Sequence, residues 1–127
     1  MNHESLARIC YDAIRAYGKT IGEVYLRWPD ARPAVRECFA GAVAYLLEAP
    51  SASVRDLHGH WLAARTQQGW QYAPQRDDAR RLHPAMVPWE DVSEREYLKF
   101  VLMHRIVDVF REHVVPRLKI DMEPGVD

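Results

Sequence analysis

Cysteine is scarce in this chain: Cys10 and Cys38 are the only two in 127 residues, and neither sits in a CxxC or zinc-like spacing. That excludes a disulfide-stapled scaffold and points to two reduced, buried thiols in a cytosolic setting. Net charge is equally absent. With 17 Lys and Arg against 18 Asp and Glu the balance is −1, too little to draw in nucleic acid or an anionic membrane. No apolar run approaches the roughly 18 residues that a membrane span needs. The opening MNHESLARIC shows no basic stretch ahead of an apolar one, so no export signal is expected. Internal repeats, low-complexity tracts, a Gly-rich phosphate loop, a nucleophile elbow and a paired His–carboxylate metal pattern are all missing. Asp77 and Asp78 are adjacent loop carboxylates without a partner base, poor equipment for acid–base chemistry. The expectation is a chain that is not an enzyme and needs no cofactor.

What is present suffices for one core. Apolar residues make up 48 % of the chain, enough for a single domain over residues 1–127. Leu6, Ile9, Cys10, Ala13, Ile14 and Tyr17 recur at helical spacing, which predicts a first helix to about Tyr17, with Ile21 as the outer limit and Gly18 and Gly22 weakening its end. Trp28-Pro29-Asp30 breaks the chain, with Trp28 stapled over the turn, and Asp30 is the expected cap of a second helix. Pro33 is tolerated in that helix's first turn, where backbone N–H groups have no intrahelical partner. Val35, Cys38, Phe39, Ala42, Val43 and Leu46 line its inner face, and it ends before Pro50. Ser51 or Ser53 caps a third helix with Asp56 in its first turn, Val54, Leu57, Trp61 and Leu62 inside, and Gly69 as its stop. Ser93-Glu94-Arg95-Glu96 reads as a capping box. The fourth helix that follows carries Tyr97, Phe100, Val101, Val107 and Phe110, stops before Pro116, and is apolar on more than one side, as a central element should be. The tail from Met122 to Asp127 reads as frayed. The fold class is therefore mainly α, four helices with a long Trp- and Pro-rich connection over residues 70–92.

Pro74, Pro84 and Pro88 forbid a helix of any length in that connection, which allows a short strand at Trp70–Tyr72 paired with residues near Ala85–Val87. So long a loop in so small a domain is usually functional or held by its own side chains. It follows HxxW at His58–Trp61 and carries GWQYAP at Gly69–Pro74, RDDARRLHP at Arg76–Pro84 and MVPW at Met86–Trp89. This ordered set resembles the ryanodine-receptor repeat, the RyR domain, whose pattern is close to HxxW, GWxYGP, a short charged segment, HPxLVPY and an acidic-capped helix. The N-terminal half is similar to the small stand-alone RyR-domain proteins of bacteria and their phages. Ala73 departs from the family's glycine, Trp89 from its tyrosine, and Leu98 from a position often polar. In the large calcium channels these repeats are peripheral cytosolic modules, and paired repeats are associated with adenine-nucleotide binding between aromatic rings. The resemblance implies a binding module, with dimerisation needed if two facing repeats complete the pocket.

On that basis the candidate ligand-binding residues are Trp70, Tyr72, Arg76, Arg81, His83 and Trp89. Trp70 is placed to stack on a base or else to plug the core beneath the loop. Tyr72 shares its strand face. Arg76, Arg80 and Arg81 bracket the two aspartates and can take phosphates, or form local surface ion pairs. His83 is either a loop anchor or a ligand contact, and Trp89 pins the loop or walls the pocket. His58 is expected to bond a loop carbonyl, and Trp61 to pack in the core. His58 and His60 point to different sides of a helix, so with His83 they make no zinc site. The expected partner is a small nucleotide-like ligand. The competing reading is a protein-interaction module, a homodimer or a docking surface, with exposed Trp and Arg as hot spots. A third reading has every tryptophan buried and purely structural.

Overall fold

The computed structural model describes residues 1–114, so the expectations at Pro116 and Met122–Asp127 lie outside the described residues. Four helices dominate: α1 (His3–Thr20), α2 (Pro33–Glu48), α3 (Val54–Gln67) and α4 (Glu94–Phe110). Two-residue strands β1 (Gln71–Tyr72) and β2 (Leu82–His83) lie in the connection between α3 and α4. Helices α2 and α4 each pack against all three others, so the central position expected of α4 is shared.

The Asn2 side chain accepts from the Ser5 N–H at 2.8 Å and starts α1 earlier than its apolar stripe. The helix then runs through Gly18, because that glycine is a packing position: a Cβ there would lie 2.6 Å from the Tyr25 ring. Tyr11, outside the expected stripe, is buried against Tyr25, Trp28 and Phe39, edge on, and its hydroxyl donates to the Leu26 carbonyl. Trp28 is buried in the single turn Trp28–Asp30, as a staple should be.

Asp30 does not cap α2. The cap position is Arg32, with no side-chain bond, and Pro33 opens the helix, where its missing N–H costs nothing. The turn is held from the far side instead, by the Arg36 guanidinium donating to the Ala31 and Pro29 carbonyls at 2.6 and 3.1 Å. At α3 the cap is Ser53 rather than Ser51, and Asp56 completes a reciprocal box with it: Ser53 Oγ accepts from the Asp56 N–H, and Asp56 Oδ2 accepts from the Ser53 N–H, both at 3.0 Å. Gly69 ends the helix region at φ +84°, which glycine adopts without strain.

Half of the box at α4 forms. Ser93 Oγ accepts from the Glu96 N–H at 3.4 Å, but the Glu96 carboxylate turns inward to Lys99. The helix stops at Phe110, ahead of a single turn at Arg111–His113. Arg111 donates to the Leu46 carbonyl at 2.9 Å, supplying a donor and a positive charge at the C-terminal end of α2. Cys10 and Cys38 are free and buried, and burial pushes the Cys10 thiol up to about 12.

Strand β1 pairs with Leu82–His83 rather than with residues near Ala85–Val87, and the pairing is parallel. The reason is a tight reversal between Asp77 and Leu82, which exchange N–H and C=O bonds at 2.9 Å and bring the chain back beside Gln71. Arg81 takes φ 57° at this reversal.

Candidate functional site

Ala85 is bonded through both of its backbone groups, once within the loop and once to α3. Its N–H donates to His83 Nδ1, and its carbonyl accepts from His58 Nε2, each at 3.0 Å. The His58 bond to a loop carbonyl is the one expected of it. The rings of Trp61 and His83 meet edge to face at 4.9 Å, and Phe100 meets Trp61 in the same way at 5.2 Å. Trp61 is thus core, as its phase on α3 requires.

Because Nδ1 of His83 accepts, its ring proton sits on Nε2 and faces Glu96 Oε1 at 3.9 Å. Burial holds the His83 pKa well below the ordinary imidazole value, and Lys99, Arg65, Arg76 and His58 push the same way. Glu96 is raised by burial against the opposing pull of Lys99. Lys99 Nζ lies 2.8 Å from Glu23 and 3.0 Å from Glu96, with Lys99 and Glu96 buried and Glu23 partly exposed at the cleft wall. Glu96 is expected from the sequence only as the carboxylate of a capping box, and neither Glu23 nor Lys99 is expected as its partner. The readable sign was phase: Glu96 and Lys99 fall on the face of α4 that carries Phe100, Met103 and Val107.

A pH prediction follows from the two anchoring histidines. His58 is also lowered, by burial first and against the Ala85 hydrogen bond. Both are neutral when folded, whereas the unfolded chain takes up their protons near pH 6.5. Unfolding free energy therefore falls as pH drops below about 6.5 toward the folded pKa values, at up to about 1.4 kcal/mol per pH unit per histidine. Urea unfolding between pH 7 and pH 5 should show this slope, and His83→Gln should flatten it. An unaltered slope in that variant would mean that His83 is not the buried neutral group described.

The six candidate residues do not converge. Trp70 is 4 % exposed, and its ring is covered by the Arg65 guanidinium at 4.1 Å. The free stacking face expected of it is therefore taken, and its core-plug reading stands. Tyr72 is 55 % exposed. Arg76 turns inward, with its guanidinium 3.5 Å from the Tyr25 ring centroid, 2.6 Å from Asp78 Oδ2 and 3.0 Å from the Val24 carbonyl. His83 is buried, a loop anchor. Trp89 is half-buried between His58 and Tyr97, on the far side of the loop's attachment, and pins the loop there.

Trp70 and Arg81 do meet. They line a surface cleft of about 390 Å³ with the cap residue Arg32 and with Pro33 and Ala34, the first residues of α2. Arg81 donates to the Gln68 carbonyl and is otherwise exposed. Asp78 and Glu37 also line this cleft, and Arg76 already neutralises Asp78. A second cleft of about 530 Å³ lies between the α1–α2 connection and the loop, with Glu23, Arg76 and Arg95 in its wall. Among the described residues no group of three His, Cys, Asp or Glu side chains is placed to hold a metal, and no helix is long and apolar enough to cross a membrane.

The class is a small, mainly α domain of four helices whose last two are joined by an aromatic loop that His58 anchors. The model of one family, the RyR domain, matches residues 46–111, just over half of the chain, from the last turn of α2 past the end of α4. The chain belongs to the RyR domain family, which is in general a family of non-catalytic repeats. No solved structure matches the chain.

Proposed function

We propose that this chain is a non-catalytic, cytosolic binding module for a nucleotide or nucleotide-derived molecule, with the phosphate end in the cleft between Arg81, Arg32 and the start of α2. The observation that carries the reading is the absence of a side-chain cap on α2 where two arginines and Trp70 line one cleft. Arginine presents paired donors that fit phosphate, and at this helix start Ala34 adds a backbone N–H, whereas Pro33 has none and Val35 donates to the Arg32 carbonyl. With the Trp70 face covered, the ring supplies the cleft floor, and the base lies outward. The test is thermal unfolding with adenine, guanine and cyclic nucleotides on the wild type, Arg81→Ala and Arg32→Ala. A nucleotide at about 100 times its dissociation constant adds roughly 2.7 kcal/mol to the wild type, and each variant loses most of that shift. No shift with any nucleotide ends this reading.

Exposed Val24, Leu26 and Tyr72, at 86, 55 and 55 %, favour a second reading, a protein-interaction surface formed by a homodimer or a docked partner. Sedimentation separates the two. Val24→Ser with Tyr72→Ser abolishes self-association in the second and leaves the nucleotide shift intact in the first.

A further inference from the structure

Arg65 follows Trp61 by four residues on the inward face of α3 and is 3 % exposed. Its guanidinium carbon lies 4.1 Å from the Trp70 ring centroid and 5.8 Å from that of Trp61. Nη1 donates to Gln68 Oε1 at 3.4 Å, while Nε is buried without a hydrogen-bond partner. The other interior cations are matched, Arg76 by Asp78 and Lys99 by Glu23 and Glu96, whereas Arg65 forms no ion pair among the described residues. A guanidinium stays charged in a protein, and burying it without a counter-charge is costly.

The same residue lines a small, partly open cavity of about 50 Å³, with Ile14, Leu57, Phe100 and Met103 in its apolar wall and Arg76, Asp78 and Lys99 beside Arg65 on its charged side. One water needs roughly 10–15 Å³ by this kind of measure, so the space holds about three to five water-sized groups. An occupant of that size, charged at one end and apolar at the other, matches the wall. The side-on edge of a guanidinium, Nε with its neighbouring amino group, takes a carboxylate through two parallel bonds.

We propose that this cavity is a binding site for a small aliphatic monocarboxylate of acetate or propionate size, with the carboxylate on Arg65 Nε and the alkyl end against Leu57, Phe100 and Met103. The site is distinct from the surface cleft at Arg81 and does not depend on nucleotide binding. Val35 and Asp78 stand in the walls of both.

The experiment titrates ¹⁵N-labelled protein with sodium acetate, propionate, hexanoate and phosphate, each against sodium chloride at equal ionic strength. It follows the Arg65 Nε–Hε resonance, the tryptophan fluorescence and the melting temperature. Acetate and propionate should move all three saturably, with hexanoate and phosphate at least tenfold weaker, because one is too long and the other lacks an apolar end. Arg65→Lys keeps the charge but not the paired donors, and should weaken propionate at least tenfold. The wild-type titration decides the matter even if that variant fails to fold. An Nε–Hε resonance that no carboxylate moves, as a water-filled cavity would leave it, overturns the proposal. So does hexanoate or phosphate binding as tightly as acetate, which would place the ions on the surface.

Discussion

Trp70→Ala should lose about 3–5 kcal/mol of stability, the usual cost of truncating a buried tryptophan. For a chain of this size that lowers the melting temperature by on the order of 10 °C or more. The ring is 4 % exposed and provides the closest aromatic face to a guanidinium that has no ion pair among the described residues. Truncation therefore opens a cavity and also removes the main partner of a buried charge. Trp70→Phe keeps a flat face for Arg65 and should cost clearly less. Tyr72→Ala, two residues further along the chain but exposed, should stay within about 0.5 kcal/mol of the wild type. Equal effects of the alanine substitutions at Trp70 and Tyr72 in urea unfolding would show that the Trp70 ring is not the structural plug. For ligand work the consequence is direct: a lost nucleotide shift in Trp70→Ala reports unfolding as readily as binding, so Arg81 and Arg32 are the informative positions.

Much of the scaffold was legible because helical phase is a local property. The stripe Val35, Cys38, Ala42, Val43 and Leu46 is the buried face of α2, and Ser53, one of two serines offered, caps α3. The family motifs likewise placed the loop and its His58 anchor. The side-chain directions inside the loop were not legible, since nothing in a Pro-punctuated segment repeats. Arg76 reads as a solvated charge until Tyr25 and the Val24 carbonyl, some fifty residues earlier, come to meet it. Trp70 reads as a platform or a core plug, and only Arg65, covering it from the preceding helix, decides for the plug. Strands of two residues have no period, so the register of β1 against β2 depends on the reversal at Asp77–Leu82 alone. The interior charges did leave a trace. Arg65 shares a face with His58 and Trp61, and Glu96 and Lys99 share one with Phe100 and Met103. A charged side chain in phase with an apolar stripe marks a buried polar network rather than a solvated face.

Lys99 carries the most consequential of those charges. Its side chain is 6 % exposed, and it is the shared partner of Glu23 and Glu96, at 15 and 3 %. Lys99→Met preserves most of the volume and leaves two carboxylates together without their cation. Breaking a buried pair on one side costs roughly 3–5 kcal/mol, far more than the pair's net worth against an apolar replacement. The deficit should depend on pH with a definite sign. Burial already raises the Glu96 pKa and Lys99 opposes that rise, so its removal raises Glu96 further. A carboxyl whose folded pKa lies above its unfolded one favours the folded state below the unfolded value and loses that advantage as pH rises through the folded value. The variant is therefore weakest near neutrality and recovers part of its deficit toward pH 5. His83 adds to this, because Lys99 also depresses the imidazole and its loss eases protonation there. Adding Glu96→Gln to Lys99→Met removes one of the two stranded charges and should restore about 1–3 kcal/mol at pH 7 while flattening the pH trend. Urea unfolding of the four proteins in that cycle at pH 7 and pH 5 measures both effects. A pH-independent deficit, or a double variant no better than Lys99→Met, would mean that the lysine acts by packing its alkyl stem against Tyr25 rather than by neutralising the buried carboxylates.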